Sequence, residues 1–292
     1  MVDKQYIEPG ETFVAHQNDP SGHIPKLKQT FQDYIDTSSP KGLLYLIDSS
    51  HNLLIYNADS NTKEKQILET PEPLDYGTCM AQLPNGKLFF YGRYQGSGIT
   101  LLIDENWLVH KLPSGKPCRW SSAIFFNNSI YCFGGKDQND HRLPLSRRFD
   151  LDENWWIELT QMPQACFNCD SVIFNRNILI SGVSIKNLLL YSIDTDSFST
   201  IPYDFAKNKR KILINAEKKL YLIESRNRSI YESDIESYTN WRKIGDSPID
   251  IHPFQVYWTH NKGEICIGCI NYASSEYYFK FDLDKKTLVK LE

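Results

Sequence analysis

A chain of 292 residues with 41% hydrophobic residues and a formal net charge of −4 has the composition of a globular protein with a substantial core. Its slight acidic excess gives no support for binding to nucleic acid or to an anionic membrane. No apolar run reaches the length of about 18 residues that a membrane-spanning helix needs. The opening residues MVDKQYIEPGETF lack the apolar run of a signal peptide, so we do not expect export. Seven cysteines, an odd number, do not resemble a disulfide framework, so we expect a reduced, cytoplasmic protein.

Residues 1–30 are rich in proline, glycine and polar residues and predict a tail or linker. The segment QTFQDYIDTS at 29–38 is a candidate first strand. From residue 42 onwards, short apolar runs recur at 42–50, 86–94, 129–137, 177–185, 219–227 and 263–271, and their equivalent positions lie 42 to 48 residues apart. A second marker, a polar turn followed by a large apolar residue, recurs 43 to 48 residues apart at Trp107, Trp155, Phe198, Trp241 and Leu288. Two landmarks that move together predict an internal repeat.

Each repeat contains four short strand-like segments, which in the third unit are 118–127, 129–135, 146–152 and 154–161. No window shows a sustained helical period, so no long helix is predicted. Six local units of four antiparallel strands predict an all-β, six-bladed β-propeller, because a single blade cannot bury its own faces. The predicted blades span 31–70, 76–113, 118–161, 166–202, 209–245 and 253–292. Since the last unit has all its own strands, we expect packing between the first and last blades to close the ring.

The glycine pair in SIYCFGGKDQND, residues 129–140, admits two interpretations. A phosphate-binding glycine loop needs a helix directly after it, because the helix N-terminus holds the anion. The following residues KDQNDHRLPLSRR show no helical period, and neither GxGxxG nor GxxxxGK[ST] occurs. Gly134 and Gly135 are therefore predicted to end a strand where the chain turns or passes close to a neighbour.

The third unit carries a set of landmarks in a fixed order: a glycine pair after an apolar strand, an aromatic residue followed by aspartate, a tryptophan, and Met-Pro. They are Gly134-Gly135, Phe149-Asp150, Trp155 or Trp156, and Met162-Pro163. This order resembles a kelch repeat, and the resemblance extends in weaker form over residues 42–292. Kelch domains are β-propellers used mostly as protein-binding platforms, and the resemblance implies that function here. The arginine that often follows Met-Pro in the family is replaced by Gln164, so no interaction residue is carried over.

Strand order sorts the connections onto two faces. Second-to-third connections and blade-to-blade linkers lie on one face, which we call the long-loop face; the other connections lie on the short-loop face. The long-loop face carries irregular segments such as 136–148, 202–211 and 245–253 and an excess of basic residues, whereas the short-loop face is acidic. Long, varied loops on a rigid scaffold indicate a binding surface.

We therefore predict a non-catalytic scaffold whose long-loop face binds a protein partner through an acidic or phosphorylated segment, since arginine suits carboxylate and phosphate. The competing interpretation is that charged turns only maintain solubility. The candidate docking residues are Arg119, Trp120, Arg142, Arg147, Arg148, Tyr203, Arg210, Arg226 and Arg228. The other tryptophans that follow the repeat, Trp107, Trp155, Trp156 and Trp241, are predicted to pack between blades.

Two CxxC pairs, Cys166/Cys169 and Cys266/Cys269, raise the alternatives of a zinc site or a redox site. Residues three apart on a strand point to opposite faces, so Cys266 and Cys269 cannot converge without a turn. The two pairs also lie on different predicted blades, and neither precedes a helix, so we predict small buried side chains and no metal or cofactor. A propeller enzyme of the copper-oxidase type, or another small-molecule-binding propeller, is the alternative function. Among the histidines, His141 and His252 lie in long loops, whereas His110 is predicted to be a strand residue.

Overall fold

The computed structural model describes residues 42–48, 50–71, 73–74, 77–83, 86–93, 98–202, 209–225, 228–247, 253–261, 264–271 and 275–291. Within them the chain forms six antiparallel sheets arranged as a six-bladed β-propeller, so the predicted fold is confirmed. A short 3-10 helix, Ile235–Ser237, lies among the strands, and no helix in the described ranges is long and apolar enough to cross a membrane. The predicted tail and the candidate strand at 29–38 lie outside these ranges.

The first three sheets follow the chain, each strand pairing with the next. The first has three described strands: β1 (Leu43–Ile47), β2 (Leu53–Asn57) and β3 (Thr62–Gln66). The second contains β4 (Cys79–Gln82), β5 (Leu88–Tyr91), β6 (Thr100–Ile103) and β7 (Val109–Lys111). The third contains β8 (Ser122–Phe126), β9 (Ser129–Phe133), β10 (Ser146–Asp150) and β11 (Trp155–Glu158).

The last three sheets each contain four consecutive strands. The fourth contains β12 (Phe167–Phe174), β13 (Asn177–Val183), β14 (Leu188–Ser192) and β15 (Ser197–Ile201). The fifth contains β16 (Lys211–Ala216), β17 (Lys219–Glu224), β18 (Ser229–Asp234) and β19 (Arg242–Asp246). The sixth contains β20 (Pro253–Asn261), β21 (Glu264–Asn271), β22 (Glu276–Asp282) and β23 (Thr287–Leu291).

Strands in the middle of a blade are apolar on both sides, because each sheet is covered by two neighbours. On β5, Leu88 and Phe90 join the cluster shared with the first sheet, whereas Phe89 and Tyr91 join the cluster shared with the third. All four side chains are fully buried. Burying a side chain of this size stabilises the fold by about 1.5–3 kcal/mol, so continuous apolar runs are favoured over alternating ones.

Packing between the first and sixth sheets completes the ring. The described apolar side chains gather into six clusters, one at each junction between neighbouring sheets. At the last junction Leu44 and Leu46 of β1 pack with Cys266 and Tyr278 of the sixth sheet. The rings of Tyr278 and Tyr56 lie 4.4 Å apart. In the described part of the chain, closure therefore rests on side-chain packing.

Candidate functional site

Strand pairing places the connections on the two predicted faces. The β8–β9 hairpin turns through Asn127 and Asn128, whose φ angles of 47° and 57° match the tight turn that suits twisted strands. On the opposite, long-loop face the β9–β10 connection runs from residue 134 to residue 145. This connection is long enough to cover the neighbouring linkers and to present side chains of its own.

The acidic turns of the short-loop face have a structural role. Asp150 Oδ1 accepts hydrogen bonds from the main-chain N–H groups of Asp152 and Glu153, both 3.1 Å away. Asp104 Oδ1 accepts from the N–H groups of Asn106 and Leu108 in the same manner, at 2.9 and 3.0 Å. Such bonds stabilise tight turns, so the acidic character of this face follows from turn chemistry.

On the long-loop face, two cation-bearing segments and two aromatic rings meet between the third and fourth sheets. We call Arg119, Trp120, Lys136, Arg142 and Phe167 the basic–aromatic patch. Main-chain bridges join Arg119 to Lys136 and Lys136 to Arg142, so the loop after β9 lies against the linker before β8. The patch is thus positioned by backbone pairing and not by side chains alone.

Stacking between cations and rings defines the geometry of the patch. The Arg119 guanidinium carbon lies 4.7 Å from the centre of the Trp120 ring. Lys136 Nζ lies 5.3 Å from the Trp120 ring and 4.3 Å from the Phe167 ring. The exposed Arg142 places its guanidinium carbon 5.6 Å from Phe167. These distances are within the range of cation–π attraction.

Trp120 has a left-handed backbone, with a φ of 58° that is uncommon for a bulky residue. Its N–H donates to Gly77 O at 2.8 Å, and its carbonyl accepts from Cys169 N at 3.3 Å. These bonds hold the backbone in place and bring the Trp120 ring to 6.1 Å from the Phe167 ring. A constrained aromatic residue of this kind is typical of binding sites.

Asp140, which the same loop supplies, is paired with two cations of the patch. Its carboxylate lies 2.7 Å from Arg119 Nη2 and 2.9 Å from Lys136 Nζ, and the Asp140 side chain is 63% exposed. Hydrogen bonds from Lys136 and Arg119 hold the pKa of Asp140 below its ordinary value. The patch therefore already holds one carboxylate at its surface.

Arg147, a predicted docking residue, lies in the interior between the second and third sheets. Only 1% of it is exposed. Its guanidinium donates to Tyr91 Oη at 3.1 Å and to Glu158 Oε1 at 3.0 Å, and it stacks 4.9 Å from the Trp156 ring. Arg147 therefore links two blades and does not belong to the patch.

The other predicted docking residues are dispersed. Arg148 points to the opposite side of β10 from Arg147, where its hydrogen bond to Tyr131 partly offsets the rise in the Tyr131 pKa that burial causes. Arg210 is buried, and Arg228 is exposed in the β17–β18 connection of the fifth sheet. Tyr203 and Arg226 lie outside the described residues. Of the predicted set, the structure brings together Arg119, Trp120 and Arg142; the Arg119 side chain is only 4% exposed, Trp120 is half-buried and Arg142 is exposed.

A polar cluster lies where the first strands of neighbouring sheets meet. The Asp170 carboxylate on β12 accepts a hydrogen bond from Leu213 N on β16 at 2.8 Å. Burial raises the pKa of Asp170 to about 6, although hydrogen bonds and the charge of Arg210 partly offset the rise. Burial lowers the pKa of Arg210 and raises that of Tyr257. The hydrogen bond from Leu213 N to Asp170 therefore joins the inner strands of the fourth and fifth sheets.

The two CxxC pairs differ. Cys266 and Cys269 belong to different apolar clusters on opposite sides of β21, as strand geometry predicts. Cys166 and Cys169 converge instead, with their sulfur atoms 2.9 Å apart, because the register of β12 shifts between Phe167 and Asp170. The prediction that Cys266 and Cys269 do not converge is therefore confirmed, whereas the convergence of Cys166 and Cys169 was not predicted.

The histidines do not gather into one site in the described ranges. His110 lies on β7 as predicted, with Nε2 2.9 Å from Asp104 Oδ2. His141 Nδ1 lies 3.1 Å from Asp137 Oδ2, and His252 is outside the described residues. A search of the described residues finds no group of three or more His, Cys, Asp or Glu side chains that could hold a metal ion.

Three of the four tryptophans predicted to pack between blades do so. Trp241 is 7% exposed in the cluster between the fourth and fifth sheets, and Trp107 packs between the first and second. The Trp156 ring lies 4.6 Å from the ring of Tyr91, which belongs to the second sheet. Trp155 is 54% exposed, so the prediction is wrong for it. Successive residues of a strand point to opposite sides, and on the outermost strand one side faces solvent.

Phe167, Lys136 and Asp140 were missed as site residues by sequence reasoning. Phe167 stands between the cysteines of CFNC, and nothing in that pattern indicates an aromatic residue beside the basic loop. Lys136 and Asp140 begin and end the polar segment KDQND that follows the glycine pair. Because no helix follows the pair, this segment is predicted to be an exposed loop, and that prediction was the signal that could have identified both residues.

Comparison of the sequence with models of known protein families finds no match, and comparison with curated proteins finds no significant match either. The identification of the fold as a six-bladed β-propeller therefore rests on its geometry.

Proposed function

We propose that this propeller is a non-catalytic, kelch-like protein-binding scaffold of the cytoplasm, and that its basic–aromatic patch binds an anionic segment of a partner protein. The anionic groups are carboxylates or phosphates, which share the same recognition chemistry. The observation that carries the proposal is the stacking of three cationic side chains against two aromatic rings on the long-loop face. Aromatic surfaces orient cations and supply apolar contact area to a bound peptide.

Asp140 indicates which ligand chemistry the patch accepts. Its exposed carboxylate lies within salt-bridge distance of Arg119 and Lys136, the position that an acidic or phosphorylated side chain of a partner would take. Arg142 is exposed beside this pair and adds a third positive charge. A partner's anion would displace Asp140 and contact Arg142 as well.

The kelch-like assignment and the cytoplasmic location have separate support. The Gly134-Gly135 pair, Phe149, Trp156 and Met162 occupy packing positions at the junctions of the third sheet, in the order of the family's landmarks. All seven cysteines are buried free thiols, which suits a reducing compartment.

A charge-reversal pair tests the docking site. Arg142→Glu changes an exposed residue of the patch, and Lys285→Glu makes the same charge change at a 78% exposed lysine of the short-loop face. We expect Arg142→Glu to weaken binding of fluorescent glutamate-rich and phosphoserine peptides about tenfold, or about 1.4 kcal/mol. Lys285→Glu should bind as the wild type does, and added salt should weaken wild-type binding. Equal affinities of the two variants in anisotropy titrations would refute the site.

A second substitution tests the displacement of Asp140. Asn tolerates the left-handed backbone that Asp140 adopts, with a φ of 67°, so Asp140→Asn removes the charge with little strain. Because Lys136 and Arg119 then lose their internal carboxylate, we expect tighter binding of the same peptides. Peptides with phosphoserine, with glutamate and with unmodified serine distinguish the two sources of negative charge. Weaker or unchanged binding by Asp140→Asn would contradict displacement.

A further inference from the structure

A bulge at the start of β12 brings two sulfur atoms together. Residues three apart on a regular strand point to opposite faces, so Cys166 and Cys169 would ordinarily lie on different sides of the sheet. The pairing of β12 with β13 shifts between Phe167 and Asp170, and Asn168 has a left-handed φ of 47°. This extra residue turns both cysteines into the cluster between the third and fourth sheets, with Sγ atoms 2.9 Å apart.

Two glycines from neighbouring strands make room for the sulfur pair. A Cβ atom added at Gly134, just after β9, would lie 3.0 Å from Cys166 Sγ. A Cβ atom at Gly182, on β13, would lie 2.9 Å from Cys166 Sγ and 3.2 Å from Cys169 Sγ. Any other residue at either position would press on the sulfurs.

The second CxxC pair provides an internal comparison. The pairing of β21 is regular at Cys266 and Cys269, which lie opposite Thr259 and Val256 on β20. Cys266 packs toward the first sheet and Cys269 toward the fifth. The same spacing therefore yields a sulfur pair only where the strand carries a bulge.

We propose that Cys166 and Cys169 form a modification site, a dithiol that a small peroxide oxidises to an intrachain disulfide and that an external thiol reductant reopens. In the first step the sulfur of one cysteine attacks the O–O bond of hydrogen peroxide and becomes a sulfenic acid, and one water leaves. The sulfur of the other cysteine then attacks the sulfenic sulfur, the S–S bond forms, and a second water leaves. Two thiols and one peroxide thus give one disulfide and two waters, and the sulfurs lose the two electrons that the peroxide gains.

Burial restricts the oxidant to a small one. Cys166 is fully buried and Cys169 is 4% exposed, so bulky disulfides and alkylating reagents do not reach them in the folded protein. Burial and the neighbouring Cys166 thiol raise the pKa of Cys169, although the Gly135 N–H and the charge of Arg210 partly offset the rise. Because the thiolate is the reactive form, oxidation should accelerate as pH rises.

The modification site is joined to the loops of the patch. Gly135 N donates to Cys166 O at 2.8 Å, and Cys169 N donates to Trp120 O at 3.3 Å. Phe167, a member of the patch, is one of the two residues between these cysteines, so it belongs to the short loop of chain that the disulfide would close. The proposed chemistry does not depend on peptide binding at the patch and is measured without it.

Mass spectrometry of the full chain tests the proposal. The reduced protein is treated with hydrogen peroxide at mildly alkaline pH, unfolded, alkylated and mapped without reductant. We expect a peptide in which Cys166 and Cys169 have lost their two thiol hydrogens and escape alkylation, with complete reversal by dithiothreitol. Cys166→Ala and Cys169→Ala should each abolish this product, whereas the matched control Cys266→Ala should retain it.

The wild-type map decides the outcome even where a variant fails to fold. Full alkylation of Cys166 and Cys169 after peroxide treatment would overturn the proposal. A bridge between Cys266 and Cys269, or among Cys79, Cys118 and Cys132, with Cys166 and Cys169 still reduced would overturn it as well. Conversion of either cysteine to a sulfinic acid without a disulfide would also count against it.

Discussion

Asp170 places a carboxyl group where two inner strands meet, and its replacement should change how stability depends on pH. The carboxylate accepts hydrogen bonds from Leu213 N at 2.8 Å and from Ser171 N at 2.9 Å. Burial nevertheless raises the Asp170 pKa from its ordinary value of 3.8 to about 6. Asp170→Asn keeps the shape and an acceptor oxygen but removes the titration.

The size and sign of the effect follow from that pKa. The folded protein holds this proton more tightly than the unfolded chain, so the stabilisation is full below about pH 4 and is lost as pH rises through about 6. A difference of 6 − 3.8 = 2.2 corresponds to at most about 3 kcal/mol, since the half-buried side chain is partly screened by solvent. About half of this change falls between pH 5 and pH 7.5.

Urea unfolding of the wild type and of Asp170→Asn at pH 5 and pH 7.5 measures the effect. Exposed carboxyl groups of lowered pKa, such as Asp140 and Asp282, titrate in both proteins and cancel in the comparison. We expect the wild type to lose about 1 kcal/mol relative to the variant as pH rises over this range. A difference between the two proteins that stays constant with pH would refute the assignment of a raised pKa to Asp170.

Two further substitutions test whether the buried cations Arg147 and Lys211 contribute to stability and not to peptide binding at the patch. Arg147→Met removes the bonds to Tyr91 and Glu158 and should lower the free energy of unfolding by about 1–3 kcal/mol while peptide affinity stays unchanged, as urea unfolding and anisotropy titration would show. Lys211 is fully buried and donates to Gly182 O at 3.4 Å, and burial lowers its pKa from 10.5 to about 8. The wild type should therefore gain stability relative to Lys211→Met as pH rises from about 8 toward 10.5 in unfolding measurements, because buried thiols and phenols of raised pKa, such as Cys269 and Tyr221, titrate in both proteins and cancel.

The fold was predictable because the repeat is expressed in the apolar core. Leu88, Ile130, Ile178, Leu220 and Ile265 occupy the same buried position in the second to sixth sheets, so their spacing reports the blade period directly. The strand bounds were less accurate. The predicted first strand of the third unit covered 118–127, but β8 begins only at Ser122, because the left-handed backbone at Trp120 ends the extended segment.

The docking residues were predictable only in part. The strand predicted at 146–152 begins at Ser146, as β10 does, but the long loop was counted as 136–148, so Arg147 and Arg148 were included in both. Counting a strand residue with the loop placed Arg147 at the surface, whereas its position on β10 points it into the interior, because alternate strand positions face alternate sheets. The convergence of Cys166 and Cys169 was also missed, since a bulge depends on tertiary packing. Asn168, a residue type that tolerates left-handed backbone, was the available local signal.

The glycine pair after β9 can be tested as a packing device. Gly134 has a φ of +65°, and an added Cβ would lie 2.9 Å from Cys166 O and press on Cys169 Sγ. Gly86 has a similar φ of +79°, but an added Cβ there meets nothing within 4 Å. Gly134→Ala therefore combines backbone strain with overpacking, whereas Gly86→Ala imposes the backbone strain alone.

We expect Gly86→Ala to cost about 1–2 kcal/mol in urea unfolding and Gly134→Ala about 1–3 kcal/mol more. Adding Cys169→Ala to Gly134→Ala removes the sulfur contact but leaves Cys166 O in place, so the double variant should recover only part of the loss. Equal costs for the two glycine substitutions would show that Gly134 is needed for its backbone conformation alone. If the losses in the free energy of unfolding caused by Gly134→Ala and Cys169→Ala simply add in the double variant, contact between the added Cβ and the Cys169 sulfur does not cause the destabilisation by Gly134→Ala.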